Sequence, residues 1–272
     1  MEMDISAILL PVSCIGGLSL VFGVGLGIAA KKFAVPVDER VEDVKNCLPG
    51  ANCGGCGFAG CEALAKAIVS GESPINACPV CNKDQIAGIA KVMGVEATTN
   101  VKKIAFIGCK GNSEVTKAKF NYSGIPTCHD AQLIGGGPKV CKYGCLGFGS
   151  CVQVCQFGAL TVENGLPVVD SERCVGCGAC EKECPRHIIQ ILPEDTAYQV
   201  SCMSQDRGKD VKLGCSVGCI GCGLCMKQCE VGAIKFENNL AHIDESLCIK
   251  CGKCEEKCPT KVITAMLLEN VH

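Results

Sequence analysis

Cysteine carries the chemistry of this chain: 27 of its 272 residues are thiols, and their spacing decides what the thiols can do. Disulfides need an oxidising compartment and no fixed short spacing. A structural zinc ion is satisfied by two C-x2-C knuckles. Here the arrays are longer. Cys174-x2-Cys177-x2-Cys180-x3-Cys184-Pro185 and Cys248-x2-Cys251-x2-Cys254-x3-Cys258-Pro259 are complete, and Cys219-x2-Cys222-x2-Cys225-x3-Cys229 lacks only the proline. Three thiolates at that spacing cap three corners of an iron–sulfur cube, and the fourth crosses to a neighbouring cube. The expected chemistry is one-electron transfer. No Rossmann or P-loop signature is present and no Ser-His-Asp arrangement can be argued. The four histidines lie outside the arrays, and His187 and His242 read as surface or packing residues.

A different array comes first along the chain. Cys53-Gly-Gly-Cys56-Gly-Phe-Ala-Gly-Cys61 is followed by a helical stretch over Glu62–Ser70 and then by Cys78-Pro79. Three thiolates share one glycine-rich loop, whose backbone N–H groups can turn toward the sulfides of a 4Fe–4S cluster. The fourth ligand, Cys78, returns after the helix. Cys47 and Cys81 flank the set and read as spare.

The remaining cysteines fall into register at an offset of 74 residues. Cys128 maps to Cys202, Cys141 to Cys215, Cys145 to Cys219, Cys151 to Cys225 and Cys155 to Cys229. Cys174, Cys177, Cys180 and Cys184 map to Cys248, Cys251, Cys254 and Cys258. This reads as a duplication, each copy a bacterial-type two-cluster ferredoxin unit. Crossing assigns Cys248, Cys251, Cys254 and Cys229 to one cluster, and Cys219, Cys222, Cys225 and Cys258 to its neighbour. Cys174, Cys177, Cys180 and Cys155 make a third. The fourth is irregular, because Phe148 stands where Cys222 stands in the other copy. Cys145, Cys151 and Cys184 are then one ligand short; Cys141 is the nearest candidate to complete the set, and a three-iron cluster is the alternative. Five clusters are expected on this count. A sixth, bridging the copies, would use Cys109, Cys128, Cys202 and Cys215, with burial as ordinary small residues as the alternative.

The elements that must position these thiols are small. With no Trp, three Tyr and eight Phe, a large apolar core is out of reach, and metal-held units take its place. Short strands are expected at Ala159–Val162, Leu166–Val169, Ala233–Phe236 and Lys103–Gly108, with a helical turn after each third cysteine. The mean hydropathy is +0.28, and one segment accounts for part of it: Ile5 to Ala30 holds no charged residue or histidine, longer than the ~20 residues that span a bilayer. Glu2 and Asp4 precede it and Lys31-Lys32 follow, which puts the rest of the chain on the cytoplasmic side. Gly23-x-x-x-Gly27 is a face for another helix. A signal peptide or buried hairpin is the alternative. The net charge of −2 gives no argument for nucleic acid. The fold class is therefore α+β: a transmembrane anchor over residues 1–32, a small helical four-Cys 4Fe–4S module over 33–95 that begins with a linker at Val35–Arg40, and a connecting segment over 96–137. Two tandem ferredoxin units follow, over 138–198 and 199–272.

One apolar helix, the C-x2-C-x4-C-x16-C-P module and ferredoxin repeats together resemble the B subunit of Rnf-type ion-translocating ferredoxin:NAD oxidoreductases. The stretch from Gly137 to Cys151 looks like the version of anaerobic bacteria such as clostridia. The resemblance covers nearly the whole chain. It implies an electron-transfer subunit, bound to the cell membrane by a single pass, that accepts electrons from reduced ferredoxin. These go on to membrane and peripheral subunits with clusters and flavin, and eventually to NAD, while Na⁺ or H⁺ is driven outward. It also implies that Cys53, Cys56, Cys61 and Cys78 ligate the first cluster. The alternatives are an electron-transfer subunit of another membrane oxidoreductase, such as a hydrogenase-linked complex, and a non-redox zinc-binding scaffold.

Overall fold

The computed structural model describes residues 5–32, 38–97 and 101–266, with the side chains of the first helix described from Ile15 onward. Glu2, Asp4, residues 35–37 of the expected linker and the Cys14 side chain lie outside the described residues. Helix α1 (Ile5–Lys32) has 28 residues, about 42 Å at 1.5 Å per residue. It is long and apolar enough to cross a membrane, and its window Ile15–Lys32 is not covered by the rest of the chain.

The first compact unit is helical. α2 (Glu39–Cys47) starts on an Asp38 cap, whose carboxylate accepts the Arg40 N–H at 3.0 Å, so Asp38–Arg40 belongs to a helix start rather than a linker. α3 (Cys61–Ser70) ends at Gly71 and α4 (Lys83–Met93) at Gly94, both left-handed at φ 81° and 67°, where a side chain would be strained. An Asn82–Gln85 capping box opens α4. Val44, Leu64, Ile68 and Ile89 close its core together with Cys78.

The remainder consists of short elements: β1 (Lys103–Ile107), α5 (Cys128–Leu133), α6 (Ser150–Gln153), β2 (Leu160–Glu163), β3 (Leu166–Val169), α7 (Ala179–Glu183) and β4 (Ile189–Pro193), then β5 (Tyr198–Val200), α8 (Gly208–Gly214), α9 (Leu224–Gln228), β6 (Ile234–Glu237), β7 (Leu240–Ile243), α10 (Lys253–Glu256) and β8 (Ile263–Ala265). The four sheets among the described residues are antiparallel pairs: β1 with β4, β2 with β3, β5 with β8, and β6 with β7. The expected strands are present, within a residue of their expected bounds.

The two halves match in backbone detail at the 74-residue offset. Asn164 and Asn238 share φ 48°, His187 and Lys261 φ 50° and 54°, and Gly178 and Gly252 φ 78° and 76°. Two separate cores result, one around Ile104, Phe106, Ile188 and Ile189, the other around Val200, Ile234, Val262 and Ile263.

The segment 96–137, expected as a connection, contributes a strand to the first half. Its strand β1 pairs with β4 of the first half from Lys103↔Pro193 to Ile107↔Ile189, as β5 pairs with β8 in the second. β1 and β5 are thus counterparts, although they do not lie 74 residues apart. The first half carries extra chain between its edge strand and its cysteine array.

Candidate iron–sulfur sites

Each half closes its cysteines around cavities. Cys229, Cys248, Cys251 and Cys254 line one, and Cys219, Cys222, Cys225 and Cys258 line another. In the first half burial pushes Cys177 and Cys180 up, helped by the neighbouring Cys155 and Cys174 beside Cys177 and by Cys174 and Cys177 beside Cys180. In the helical unit Cys56, Cys61 and Cys78 share one core with Cys47 and Cys81, while Cys53 lies toward Cys177.

The irregular site differs from the sequence pairing. Cys145, Cys151 and Cys184 line a cavity with Cys128, not with Cys141. The reason is local. Thr127 caps α5 by accepting the Asp130 N–H, and the Cys128 N–H donates to Ser150 Oγ at 2.9 Å. That bond pins the first residue of α5 against the loop bearing Cys151. Phe148, which stands where a thiol would, packs against Tyr122 at a tilt of 58° and 5.0 Å between ring centroids. The extra chain of the first half thus supplies both the substitute thiol and the ring that packs on Phe148.

Cys141 goes instead to a cavity of about 230 Å³ between the halves, lined by Cys109, Cys141, Cys202 and Cys215. This lining differs from the expected set, which held Cys128 in place of Cys141. Cys109 and Cys202 each lie two residues beyond their edge strands, and each donates its N–H to the last strand carbonyl, Ile107 and Val200, at 2.8 and 2.9 Å. They are the true counterparts; the match of Cys128 to Cys202 at offset 74 is a coincidence of the extra chain. Cys141 and Cys215 meet because Val140 packs on Gly214, where a Cβ would lie 2.8 Å from Val140 Cγ1. Lys117 N–H also donates to Gly214 O at 2.9 Å.

The residues fit iron–sulfur clusters on donor chemistry. Backbone N–H groups point at thiol sulfurs: Gly111 to Cys109 at 3.3 Å, Ala233 to Cys229 at 3.2 Å, and Ala105 to Cys174, Ala159 to Cys155 and Ser204 to Cys202 at 3.4 Å. Such bonds stabilise sulfur-borne negative charge. Burial pushes Cys145, Cys180 and Cys202 up to about 12, and Cys151, Cys225 and Cys254 up to about 11. A metal bound by thiols so placed would take up the thiolates and release their protons. Cys78 moves the other way, down to about 6, because the Cys81 thiol donates to it.

Three residues missed in the sequence complete the sites. Asn52 Oδ1 accepts the Cys61 N–H at 2.8 Å and caps α3 from outside, which fixes Cys61. Lys139 is buried, donates to Gly111 O at 2.8 Å and lines the cavity between the halves. Its ammonium works against the burial-driven rise of Cys109, Cys145 and Cys215. Arg186, half-buried, lines the Cys128 cavity and donates to Gly136 O.

Comparisons with known proteins agree with this chemistry. A family model described as "Putative Fe-S cluster" matches residues 48–80, a "4Fe-4S binding domain" matches 167–190 and a "4Fe-4S dicluster domain" matches 218–263. The chain is 48% identical to the B subunit of the Na(+)-translocating ferredoxin:NAD(+) oxidoreductase complex of Acetobacterium woodii, over 96% of this chain and 78% of that protein. It is 42% identical to the B subunit of the ion-translocating oxidoreductase complex of Methanosarcina acetivorans (95% and 98%). To the B subunit of the proton-translocating ferredoxin:NAD(+) oxidoreductase complex of Clostridium ljungdahlii it is 45% identical (92% and 89%). Thiol-lined cavities and 4Fe–4S domains define an iron–sulfur protein of the electron-transfer class. Within that class, the chain belongs to the B-subunit family of Rnf-type ion-translocating oxidoreductase complexes.

Proposed function

We propose that this chain is the iron–sulfur electron-transfer subunit of a membrane-bound, redox-driven Na⁺ or H⁺ translocase. It accepts electrons from reduced ferredoxin and passes them to membrane flavin and iron–sulfur subunits toward NAD. The observation that carries this reading is the grouping of sixteen cysteines in fours around four cavities, in a chain 42–48% identical to three such subunits. Helix α1 is its single membrane anchor, and Lys31-Lys32 keep the cysteine-bearing part in the cytoplasm.

Two tandem two-cluster ferredoxin units follow a helical one-cluster module in this reading. The residues that would hold 4Fe–4S clusters are Cys53, Cys56, Cys61 and Cys78; Cys155, Cys174, Cys177 and Cys180; Cys128, Cys145, Cys151 and Cys184; Cys109, Cys141, Cys202 and Cys215; Cys219, Cys222, Cys225 and Cys258; and Cys229, Cys248, Cys251 and Cys254. Such clusters supply reversible one-electron storage. The chain's own contribution is to bury the thiols, aim N–H donors at their sulfurs, and set Lys139 and Arg186 beside the first-half and bridging sites.

The test uses the full chain in detergent, loaded with iron and sulfide. Reduced ferredoxin should bleach its visible absorbance within the mixing experiment, while NADH alone should leave it unchanged. Fast bleaching by NADH with no other subunit present would remove the entry role.

A further inference from the structure

The two halves differ in what covers them. In the first half, Cys177 lies under the helical unit: a Cβ on Gly55 would sit 2.6 Å from the Cys177 carbonyl oxygen, so the Cys53–Cys61 loop rests directly on that backbone. At the 74-residue offset the counterpart of Cys177 is Cys251, which is exposed. Cys174 and Cys180 are buried, but their counterparts Cys248 and Cys254 are only partly so. Val175 and Phe157 are half-buried, whereas their counterparts Ile249 and Val231 are 59% and 40% exposed and line the cavity of Cys251.

The residue before the middle thiol differs in the same sense. Gly176 and Gly221 are left-handed at φ 63° and 65°, with backbone oxygens of Lys103 and Asn239 at 2.5 and 3.0 Å from a Cβ placed there. At the corresponding position Lys250 keeps the left-handed conformation at φ 59°, which a side chain rarely adopts. Its ammonium donates to the Asp195 carbonyl at 2.7 Å, and its side chain is about half exposed. A strained residue held at the rim of an exposed thiol is a feature of functional surfaces.

We propose that the face around Cys251, framed by Val231, Ile249 and Lys250, is the docking surface for a small soluble iron–sulfur carrier. The carrier presents a glycine-lined cluster loop to Cys251 as the Cys53–Cys61 loop does to Cys177. The inference rests on the ferredoxin-accepting role proposed above and adds where the carrier binds. The same polypeptide already seats an iron–sulfur loop on the equivalent face, so the occupant is of that chemistry. The transfer would be of one electron: the carrier would be oxidised by one unit, and a cluster that Cys229, Cys248, Cys251 and Cys254 would hold would be reduced by one, with no bond or proton moved. Val231 and Ile249 supply the apolar part of the contact, and Lys253 at its edge is paired with Glu230 at 2.5 Å. Cys222 is also exposed, beside Leu224 and Met226. Its counterpart is Phe148, covered by Tyr122 and not by a cysteine-bearing loop, which makes that face the weaker candidate.

The experiment uses the full chain in detergent, loaded with iron and sulfide, and a bacterial two-cluster ferredoxin as the probe. Ile249→Glu should retain the wild-type iron content and dithionite spectrum while binding the ferredoxin roughly tenfold more weakly, read by surface plasmon resonance and by stopped-flow bleaching. Leu224→Glu should stay within about twofold of wild type. Wild-type binding by Ile249→Glu, or a loss confined to Leu224→Glu, overturns the assignment of the face alone. Wild type that dithionite reduces but ferredoxin neither binds nor reduces overturns the proposed donor, and the docking face with it.

Discussion

At the scale of single residues, Lys139 and Cys128 carry the arguments that spacing could not. A buried ammonium beside three thiols stabilises whichever cluster state carries more negative charge, which is the reduced one. Lys139→Met should therefore lower the reduction potential of the cluster between the halves, on the order of tens of millivolts, in an EPR-monitored potentiometric titration. An unchanged set of potentials would mean that the charge is screened. Cys128 and Cys141 make a paired test. Cys128→Ala and Cys145→Ala should lose the same EPR signal, and Cys141→Ala and Cys215→Ala should lose a different one. If Cys141→Ala instead matches Cys145→Ala, the grouping read from the cavities is wrong. Both assignments were beyond spacing alone. Nothing in the sequence says that Thr127 caps a helix whose first residue is pinned to Ser150, and a lysine two residues after Gly137 reads as a surface charge until its Nζ is found on Gly111 O.

At the scale of elements, legibility followed the locality of the signal. The arrays within one loop, such as Cys248 to Cys254, were readable because three thiols on one backbone turn need no tertiary information; in the fold they gather around one cavity. The hairpins were readable from β-branched runs closed by Asn164-Gly165 and Asn238-Asn239, which occupy the left-handed positions of the turns. What failed was the assumption of a constant offset. It holds from Cys141 onward, but breaks at the edge strands, where β1 and β5 are counterparts and Cys109 answers Cys202. Strand pairing across nearly ninety residues, Lys103 with Pro193, leaves no periodic trace. The same holds for the seating of the helical unit on the first half. Gly55→Ala should keep the iron content but cost about 1–3 kcal/mol, because backbone cannot yield as a flexible side chain can. It should also weaken the magnetic interaction between the two adjoining reduced clusters. Wild-type stability and spectra in Gly55→Ala would show that the loop does not rest on Cys177.

At the scale of the whole molecule, each half has its own core, and Met266 of the second half is buried in the core of the first, with Met203 packed against it. Lys117 N–H to Gly214 O at 2.9 Å, Ser216 N–H to Val115 O at 3.1 Å, Lys250 Nζ to Asp195 O at 2.7 Å and the exposed Lys142–Asp206 pair at 3.0 Å are among the polar ties between them. Each such polar tie is worth about 1 kcal/mol or less. The cavity of Cys109, Cys141, Cys202 and Cys215 takes two thiols from each half, so a cluster there would cross-link them as a metal does in a small domain. The double variant Cys202→Ala, Cys215→Ala leaves every other four-thiol group intact. Wild type should hold about twenty-four irons and the variant about twenty, at four per cluster. Calorimetry on the cluster-loaded chains should show the halves unfolding together in wild type and in two separate transitions in the variant. Equal iron in both proteins would mean that these four thiols hold no cluster. Loss of four irons with the halves still melting together would locate the coupling in the backbone ties, and the bridging site would then carry electrons without carrying stability.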